Sequence, residues 1–336
     1  MKILITGGAG FIGANFVHYW LRKNPQDEIV NLDTLTYAGN LENLKSIENN
    51  KKHRFIKGNI CDTPFINDLF KKENFNLVVH FAAESHVDRS VLDSSDFVKT
   101  NVEGTMNLLD AAKNNGGIRF HHVSTDEVFG ALSSEDAAFN EKTPYDPRSP
   151  YSASKAASDH LVRAYFHTHK LPITISNCSN NYGPFQFPEK LIPLFVTNLV
   201  EGKKIPVYGT GENIRDWIHV DDHNRGVEMI IKNGTIGETY CLGGAAERKN
   251  IDITKEILSI MGKGEEEIEY VADRKGHDLR YAIDFSKATA ELGWKPQIDF
   301  EKGITMTVEW YQDNENWWKK IKSGEYQEYY KKQYNK

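Results

Sequence analysis

Gly7, Gly10 and Gly13 recur every third residue in Gly7-Gly8-Ala9-Gly10-Phe11-Ile12-Gly13, directly after the apolar run Ile3–Thr6. Glycines so spaced between a strand and a helix can each do a separate job: a tight turn, close approach of backbone to a pyrophosphate, and close helix-to-strand packing, with the phosphates at the helix N-terminus. A glycine triplet alone is common. Asp33, twenty residues after Gly13 at the end of the next apolar run, adds the carboxylate that can accept hydrogen bonds from an adenosine ribose. The same charge repels a 2′-phosphate, so the expected cofactor is NAD rather than NADP. A turn followed by a capping Asp is the plain alternative.

Tyr151 and Lys155, four residues apart, would share one face of a helix. A phenol of pKa about 10 is a poor base near neutrality. Two positive charges beside it, Lys155 and an oxidised nicotinamide, would favour phenolate, and Tyr151 could then take a proton from a sugar hydroxyl as hydride leaves. Tyr-x-x-x-Lys is also frequent on solvated helix faces, so it needs company. Ser124-Thr125-Asp126-Glu127 supplies some. Hydride transfer asks only for a hydroxyl, from Ser124 or Thr125. Two further carboxyls point to more proton traffic, one held protonated as acid and one ionised as base if their surroundings push the pKa values apart. The alternative is a pair of turn acids in solvent.

The elements that would carry these residues follow from periodicity. Short apolar runs at Ile3–Thr6, Ile29–Leu32, Arg54–Lys57, Leu77–Phe81, Arg119–Ser124 and Ile173–Asn177 alternate with amphipathic stretches at Ile12–Lys23, Leu41–Asn49, Thr63–Glu73, Phe97–Asn114 and Ser152–His169. That alternation predicts a parallel sheet with helices on both faces. After about Tyr182 the rhythm loosens and Pro184, Pro188, Pro193 and Pro206 punctuate shorter segments. The 336 residues, with 41 Lys plus Arg against 47 Asp plus Glu, leave a net charge of −6, which argues against non-specific nucleic-acid binding. No run approaches the ~18 apolar residues of a membrane span. Cys61, Cys178 and Cys241 are far apart and form no Cys-x-x-Cys, which points to a reducing, cytoplasmic setting and away from a zinc cage. His219-Val220-Asp221-Asp222-His223 contains metal-ligand types, but the proposed chemistry needs no metal and none is expected. From Trp310 onward eight aromatic residues mix with six lysines and four acids; the acids dilute the charge a single-stranded nucleic-acid platform would need, so a docked amphipathic helix is expected.

Joined together, the glycine loop and Tyr151/Lys155 resemble the signature of the short-chain dehydrogenase/reductase enzymes. TGGAGFIG, NLDTLTYAGNLENL, FAAESHVDRS, TNVEGT, STDEVFG, SPYSASKAASD, NCSNNYGPFQFPEKLIP, PVYGTGENIRDWIHVDDH and RKGHDLRYAID resemble more narrowly the extended branch of that family and, within it, the dTDP-glucose 4,6-dehydratases. The resemblance implies a doubly wound α/β Rossmann domain over residues 1–182, to which roughly 212–245 return. A smaller mixed α/β domain, mainly 183–336, would take the nucleotide sugar. It implies Tyr151 as the base at C4, Lys155 as its orienting partner, Thr125 on the 4-oxygen, Glu127 as the base at C5 and Asp126 as the acid at C6. It places NAD on Gly7, Gly10, Phe11, Ile12, Gly13, Asp33, Thr34, Leu35, Thr36, Asn59, Ile60, Ala82, Ala83, Ser85, Thr100 and Asn181, besides Tyr151 and Lys155. Substrate would meet Ser85, Thr125, Asn180, Lys190, Leu191, Pro206, Tyr208, Arg215, Asn250, Arg274 and His277. Related enzymes pair as homodimers through the helices containing Phe97–Asn114 and Ser152–His169, which implies the same here.

Three residues depart from the family pattern: Asn59 for a usual Asp near the adenine, Lys275 for a proline, and Ala246 for a common Asn. None is in the catalytic set. The alternatives are a nucleotide-sugar 4-epimerase, a UDP-sugar 4,6-dehydratase, or an NAD-sensing module without chemistry. The first has no use for Asp126 and Glu127, and the last has no use for Tyr151 and Lys155.

Overall fold

The computed structural model describes residues 1–273 and 276–322. In chain order the strands among them are β1 (Lys2–Thr6), β2 (Glu28–Asp33), β3 (His53–Lys57), β4 (Leu77–His80), β5 (Arg119–Thr125), β6 (Ile173–Cys178), β7 (Asn180–Tyr182), β8 (Ile205–Tyr208), β9 (Ile214–His219), β10 (Thr239–Leu242), β11 (Glu247–Lys249) and β12 (Ile268–Val271). Seven of these make one parallel sheet in the order β3-β2-β1-β4-β5-β6-β10. The expected doubly wound α/β fold is therefore present. Alternate residues divide between two cores: Ile3 and Ile5 face Phe16, Trp20 and Val227 on one side, while Leu4 faces Ile66, Phe70 and Leu108 on the other. A strand buried on both faces carries apolar side chains at every position, and β1 does so from Ile3 to Ile5.

Strand order reverses between β1 and β4. In open parallel sheets ligands sit in the crevice beyond the carboxyl ends at that point. The glycine loop leaves β1 there, Asp33 closes β2, Ala82 and Ala83 follow β4, and Thr125 and Cys178 end β5 and β6.

The seventh strand is absent from the expected set of six. It is only four residues, Thr239–Leu242, and arrives after the chain has left the sheet and come back to pair Thr239 with Ile175. Helix Val220–Asn233 precedes it and packs beside helix Phe11–Lys23, where Glu228 accepts from Tyr19 and, at 2.9 Å, from Asn24.

Two expected helices differ from plain α. Leu41–Ile47 is a 3-10 helix capped by the Asn40 side chain, with His18 Nε2 2.7 Å from the Asn43 carbonyl oxygen. The stretch expected as Phe97–Asn114 is α over Ser95–Phe97, a widened π-turn over Val98–Gly104, and α again over Thr105–Asn114. The wide turn tips Asn101 inward, where it accepts from Glu84 N (2.9 Å) and donates to Glu84 O (3.0 Å), clamping the loop after β4.

The rest of the chain builds a separate core, away from the two that flank the sheet, around Tyr182, Phe195, Val207, Trp217, Ile257, Val308 and Trp318. Two small sheets, β11-β9-β7 and β12-β8, border it. Helices Phe300–Asp313 and Glu315–Ile321 dock on it, as expected for the aromatic tail; Tyr326, Tyr329, Tyr330 and Tyr334 lie outside the described residues. Among the described residues no helix is long and apolar enough to cross a membrane.

Candidate active site

Helix Phe11–Lys23 begins at Gly10 with no acidic side chain in its first turn, so its free amides keep their full positive character. Gly7 sits at φ +75°, and a Cβ there would stand 2.5 Å from Ala82 N; one at Gly13 would stand 2.2 Å from Gly7 O. These two glycines perform the turn and the close packing, while Gly10, whose nearest neighbour would be 3.4 Å away, opens toward the crevice. Gly13→Ala is expected to cost about 1–3 kcal/mol of stability, read from denaturant unfolding, because backbone cannot yield as a side chain can.

Gly7, Gly10, Phe11, Ile12, Gly13, Asp33, Thr34, Thr36, Asn59, Ile60, Ala82, Ala83, Ser85, Thr100, Thr125, Tyr151, Lys155 and Asn181 all line one long hollow. Leu35 does not: at φ +57° it turns into the sheet core, and its amide donates to Asp33 Oδ1 at 2.8 Å. The other Asp33 oxygen accepts from Ala9 N at 3.0 Å. Burial raises the Asp33 pKa and these amides oppose it; they also fix the carboxyl group at the mouth of β2 with lone pairs left for a diol. Asn59 Oδ1 accepts from Cys61 N at 2.9 Å, closing its own turn.

At the far end of the hollow, Ser149 caps helix Pro150–His169 by accepting from Ser152 N at 3.1 Å, which puts Tyr151 and Lys155 on its first turns facing β5. Lys155 Nζ donates to Val123 O at 2.9 Å and lies 3.4 Å from His122 Nε2. Burial first, then the nearby Glu127 charge, raises the Tyr151 pKa well above the ordinary phenol value, and a bond with the Thr125 hydroxyl works the other way. The chain's own groups therefore hold the phenol protonated, and an added positive charge is what would release it.

Asp126 is 2% exposed and its Oδ2 has no hydrogen-bond partner. Burial, then the charges of Glu127 and Asp216, push its pKa well above the carboxylate range. A neutral carboxylic acid thus stands beside the half-buried Glu127, the asymmetry an acid and base pair requires. Cys178, pushed up by burial to about 12, is an inert neighbour in the same wall.

A second hollow opens from the first. The two share Glu127, Asn180, Asn181, Gln186, Glu189 and Lys190. It is lined by the expected Asn180, Lys190, Leu191, Pro206, Tyr208, Arg215, Asn250 and His277; Arg274 and Lys275 lie outside the described residues. Arg215 is braced by donating to Asp278 O at 3.1 Å and by lying 4.3 Å over the Tyr281 ring. Lys190 donates to Ser85 O at 3.2 Å, and Tyr208 meets His277 edge-on at 6.2 Å. Asn180 Oδ1, Asn181 Oδ1 and Asn250 Oδ1 are buried without partners, acceptors prepared for something the polypeptide does not supply.

Residue spacing missed part of this wall. His86 and Glu189, both buried, form a cluster with the half-buried Arg89, which donates to Glu189 at 3.2 Å and 3.4 Å and lies 4.1 Å over the Tyr37 ring. Their partners are a hundred residues apart, and the only signal was membership in FAAESHVDRS and PFQFPEKLIP. Among the described residues no group of three or more His, Cys, Asp or Glu is placed to hold a metal; His223 is buried and kept neutral, its pKa lowered to about 3.

A family model described as GDP-mannose 4,6 dehydratase matches residues 4–307. The chain is 50% identical to a dTDP-glucose 4,6-dehydratase of Escherichia coli over 97% of its length and 98% of that protein's. It is also 50% identical to the enzyme of that name from Mycolicibacterium smegmatis, covering 98% of this chain and 99% of the other. A crystal structure of the Streptomyces venezuelae dTDP-glucose 4,6-dehydratase, with NAD bound, superposes at TM-score 0.92 with 47% identity over 96% of this chain and all of that one. A UDP-glucose 4-epimerase of Thermotoga maritima shares the architecture at TM-score 0.86 but only 28% identity, over 93% of this chain and 99% of its own. Sharing half its residues with such relatives over nearly its whole length, and carrying a buried Asp126 beside Glu127 where the two hollows meet, the chain belongs to the dTDP-glucose 4,6-dehydratase family.

Proposed function

We propose that this chain converts dTDP-glucose to dTDP-4-keto-6-deoxyglucose. NAD, when bound along the first hollow, supplies the acceptor for the C4 hydrogen and returns that hydrogen at C6. Tyr151 takes the proton of the sugar 4-hydroxyl, the Lys155 ammonium steadies the phenolate, and Thr125 bonds the 4-oxygen. The ketone acidifies C5, whose proton Glu127 removes. Asp126 gives its proton to the departing C6 hydroxyl, and water leaves. The proton held on Glu127 then closes the sequence at C5. At the end Tyr151 is one proton richer and Asp126 one poorer, so a proton must pass between them, directly or through solvent, before the next turnover.

The sugar diphosphate rests on Arg215, Lys190, Asn180 and Asn250, with His277 beside them and the base against Pro206 and Tyr208. A planar guanidinium suits a diphosphate because it donates two parallel bonds. We assign residues 1–182 with 212–245 to the cofactor body and the remainder of 183–336 to the sugar-nucleotide body. A homodimer fits the exposed apolar Val91, Leu92, Val98 and Met106 on the helices before β5. The three unpaired cysteines fit a cytoplasmic setting.

The observation that carries this reading is Asp126, a buried carboxyl with a free oxygen next to Glu127. An epimerase oxidises C4 too, but has no elimination for that pair to serve. Incubation with dTDP-glucose should give the alkali-induced absorbance of a 4-keto sugar. Formation of dTDP-galactose without it would overturn the reading.

A further inference from the structure

Tyr151, Lys155 and Asp159 recur every fourth residue on helix Pro150–His169, and all three are buried. The first two face the crevice. Asp159, wholly buried, lies behind them and has collected an unusual set of donors: Ser124 Oγ at 2.9 Å, Tyr145 Oη at 2.8 Å and Asn177 Nδ2 at 3.3 Å all donate to its Oδ2. Its other oxygen lies 3.1 Å from His122 Nε2, the same ring nitrogen that lies 3.4 Å from Lys155 Nζ.

One imidazole nitrogen cannot donate to a carboxylate and accept from an ammonium at the same time. The two contacts are therefore alternatives, and Asp159 Oδ1, close to the ring by distance, accepts no hydrogen bond in this arrangement. Burial, with the Lys155 charge adding to it, lowers the His122 pKa to about 4, so the ring is neutral near pH 7. The negative charge on this back wall is Asp159: burial works to raise its pKa, and the His122 contact, the Lys155 charge and the Ser124 hydroxyl outweigh that and hold it low. Burial lowers the Lys155 pKa, and Asp159 is the first influence opposing the loss of that ammonium.

We propose that Asp159 is the counter-ion of Lys155, acting across His122 Nε2, and that it keeps the lysine charged while Tyr151 changes protonation state. It is a positioning residue and touches neither sugar nor cofactor. The groups facing this assembly are His80 on β4, whose ring lies 5.3 Å from that of His122, and Cys178 on β6. Tyr145 faces it from the preceding loop, and Arg163, one turn along the helix, donates to Tyr145 Oη at 3.1 Å. Asp126 and Glu127 face Tyr151 from the front. Among these, the Asp159 carboxylate is the charge aligned along the same helix face as the ammonium. The proposal rests on the dehydratase reading for the role of Lys155.

The test is Asp159→Asn, which keeps size and shape. The alkaline limb of kcat, where Lys155 sheds its proton, should move to lower pH by about one unit. A second readout needs neither cofactor nor turnover. A lysine whose folded pKa lies below its unfolded value makes stability rise with pH between the two. In Asp159→Asn that rise begins earlier, so the Tm deficit of the apo variant against the parent should be largest near pH 7 and narrow toward pH 9.5. A carboxylate with a purely structural role would give a constant deficit above pH 6 and an unmoved limb, and that result overturns the proposal. If the Asn variant does not fold, His122→Phe removes the shared nitrogen and leaves Asp159 its three donors; its alkaline limb must also move down, and an unmoved limb overturns the proposal equally. A parent enzyme inactive on dTDP-glucose would count against the dehydratase reading, while the Tm comparison would still judge the ion pair.

Discussion

Glu127→Gln lowers turnover of dTDP-glucose by about 10²–10⁴-fold, the range that positioned acid–base groups contribute, while oxidation at C4 continues. The glutamine keeps the shape of a side chain that lines both hollows but cannot accept the C5 proton. The sugar then stops at the 4-ketone, and the near-ultraviolet absorbance of reduced nicotinamide builds up and persists. Rapid-scan spectroscopy of enzyme mixed with substrate checks this. Dehydration at the parental rate would remove Glu127 from the role of base.

Asp126→Asn loses turnover by a similar factor, about 10²–10⁴-fold, for the opposite reason: the C6 hydroxyl no longer receives a proton. A 6-fluoro substrate, whose leaving group departs without one, should restore elimination in Asp126→Asn and not in Glu127→Gln. The same carboxyl sets a pH response. Its pKa is raised in the folded protein, chiefly by burial and by Glu127. Between its unfolded and folded pKa values the native state binds the extra proton, so stability falls as pH rises through that window. Asparagine at 126 removes this penalty. The variant should therefore be the more stable protein at pH 8 by thermal unfolding while being the poorer enzyme, a trade seen where function requires a strained group.

How much of this was readable in the residues depends on the range of the physics involved. The six strands through Ile173–Cys178 and the start of the Tyr151 helix are local matters of apolar runs, caps and glycine spacing, and they read through. The short strand Thr239–Leu242 did not, because four residues carry too little pattern and its burial comes entirely from β6. The π-turn at Val98–Gly104 did not read through either; its Asn101 meets partners distant in sequence, Glu84 and Ser154. In the site, Asp126 and Glu127 were legible as a pair. Which of them holds a proton came from the family resemblance and not from the residues themselves, since Asp216 and Arg215, which tune Asp126, lie ninety residues away. Leu35 follows Asp33 in NLDTLTYAGN, and nothing in that order tells that its half-buried side chain packs against the core and does not line the hollow.

Asn43 joins the two ends of the chain: its Nδ2 donates to Ala9 O at 2.8 Å, and its Oδ1 accepts from Trp317 Nε1 at 2.8 Å, a partner 274 positions later. In a protein made from its amino end, the Asn43 segment is thus among the first synthesised and among the last to acquire its full set of contacts. Contacts of such separation are slow to form. A nascent chain halted before helix Glu315–Ile321 would hold a complete central sheet and a glycine loop tied by Asn31, Asp33 and Asn43, and would lack the Trp317 bond that holds the Asn43 amide oxygen.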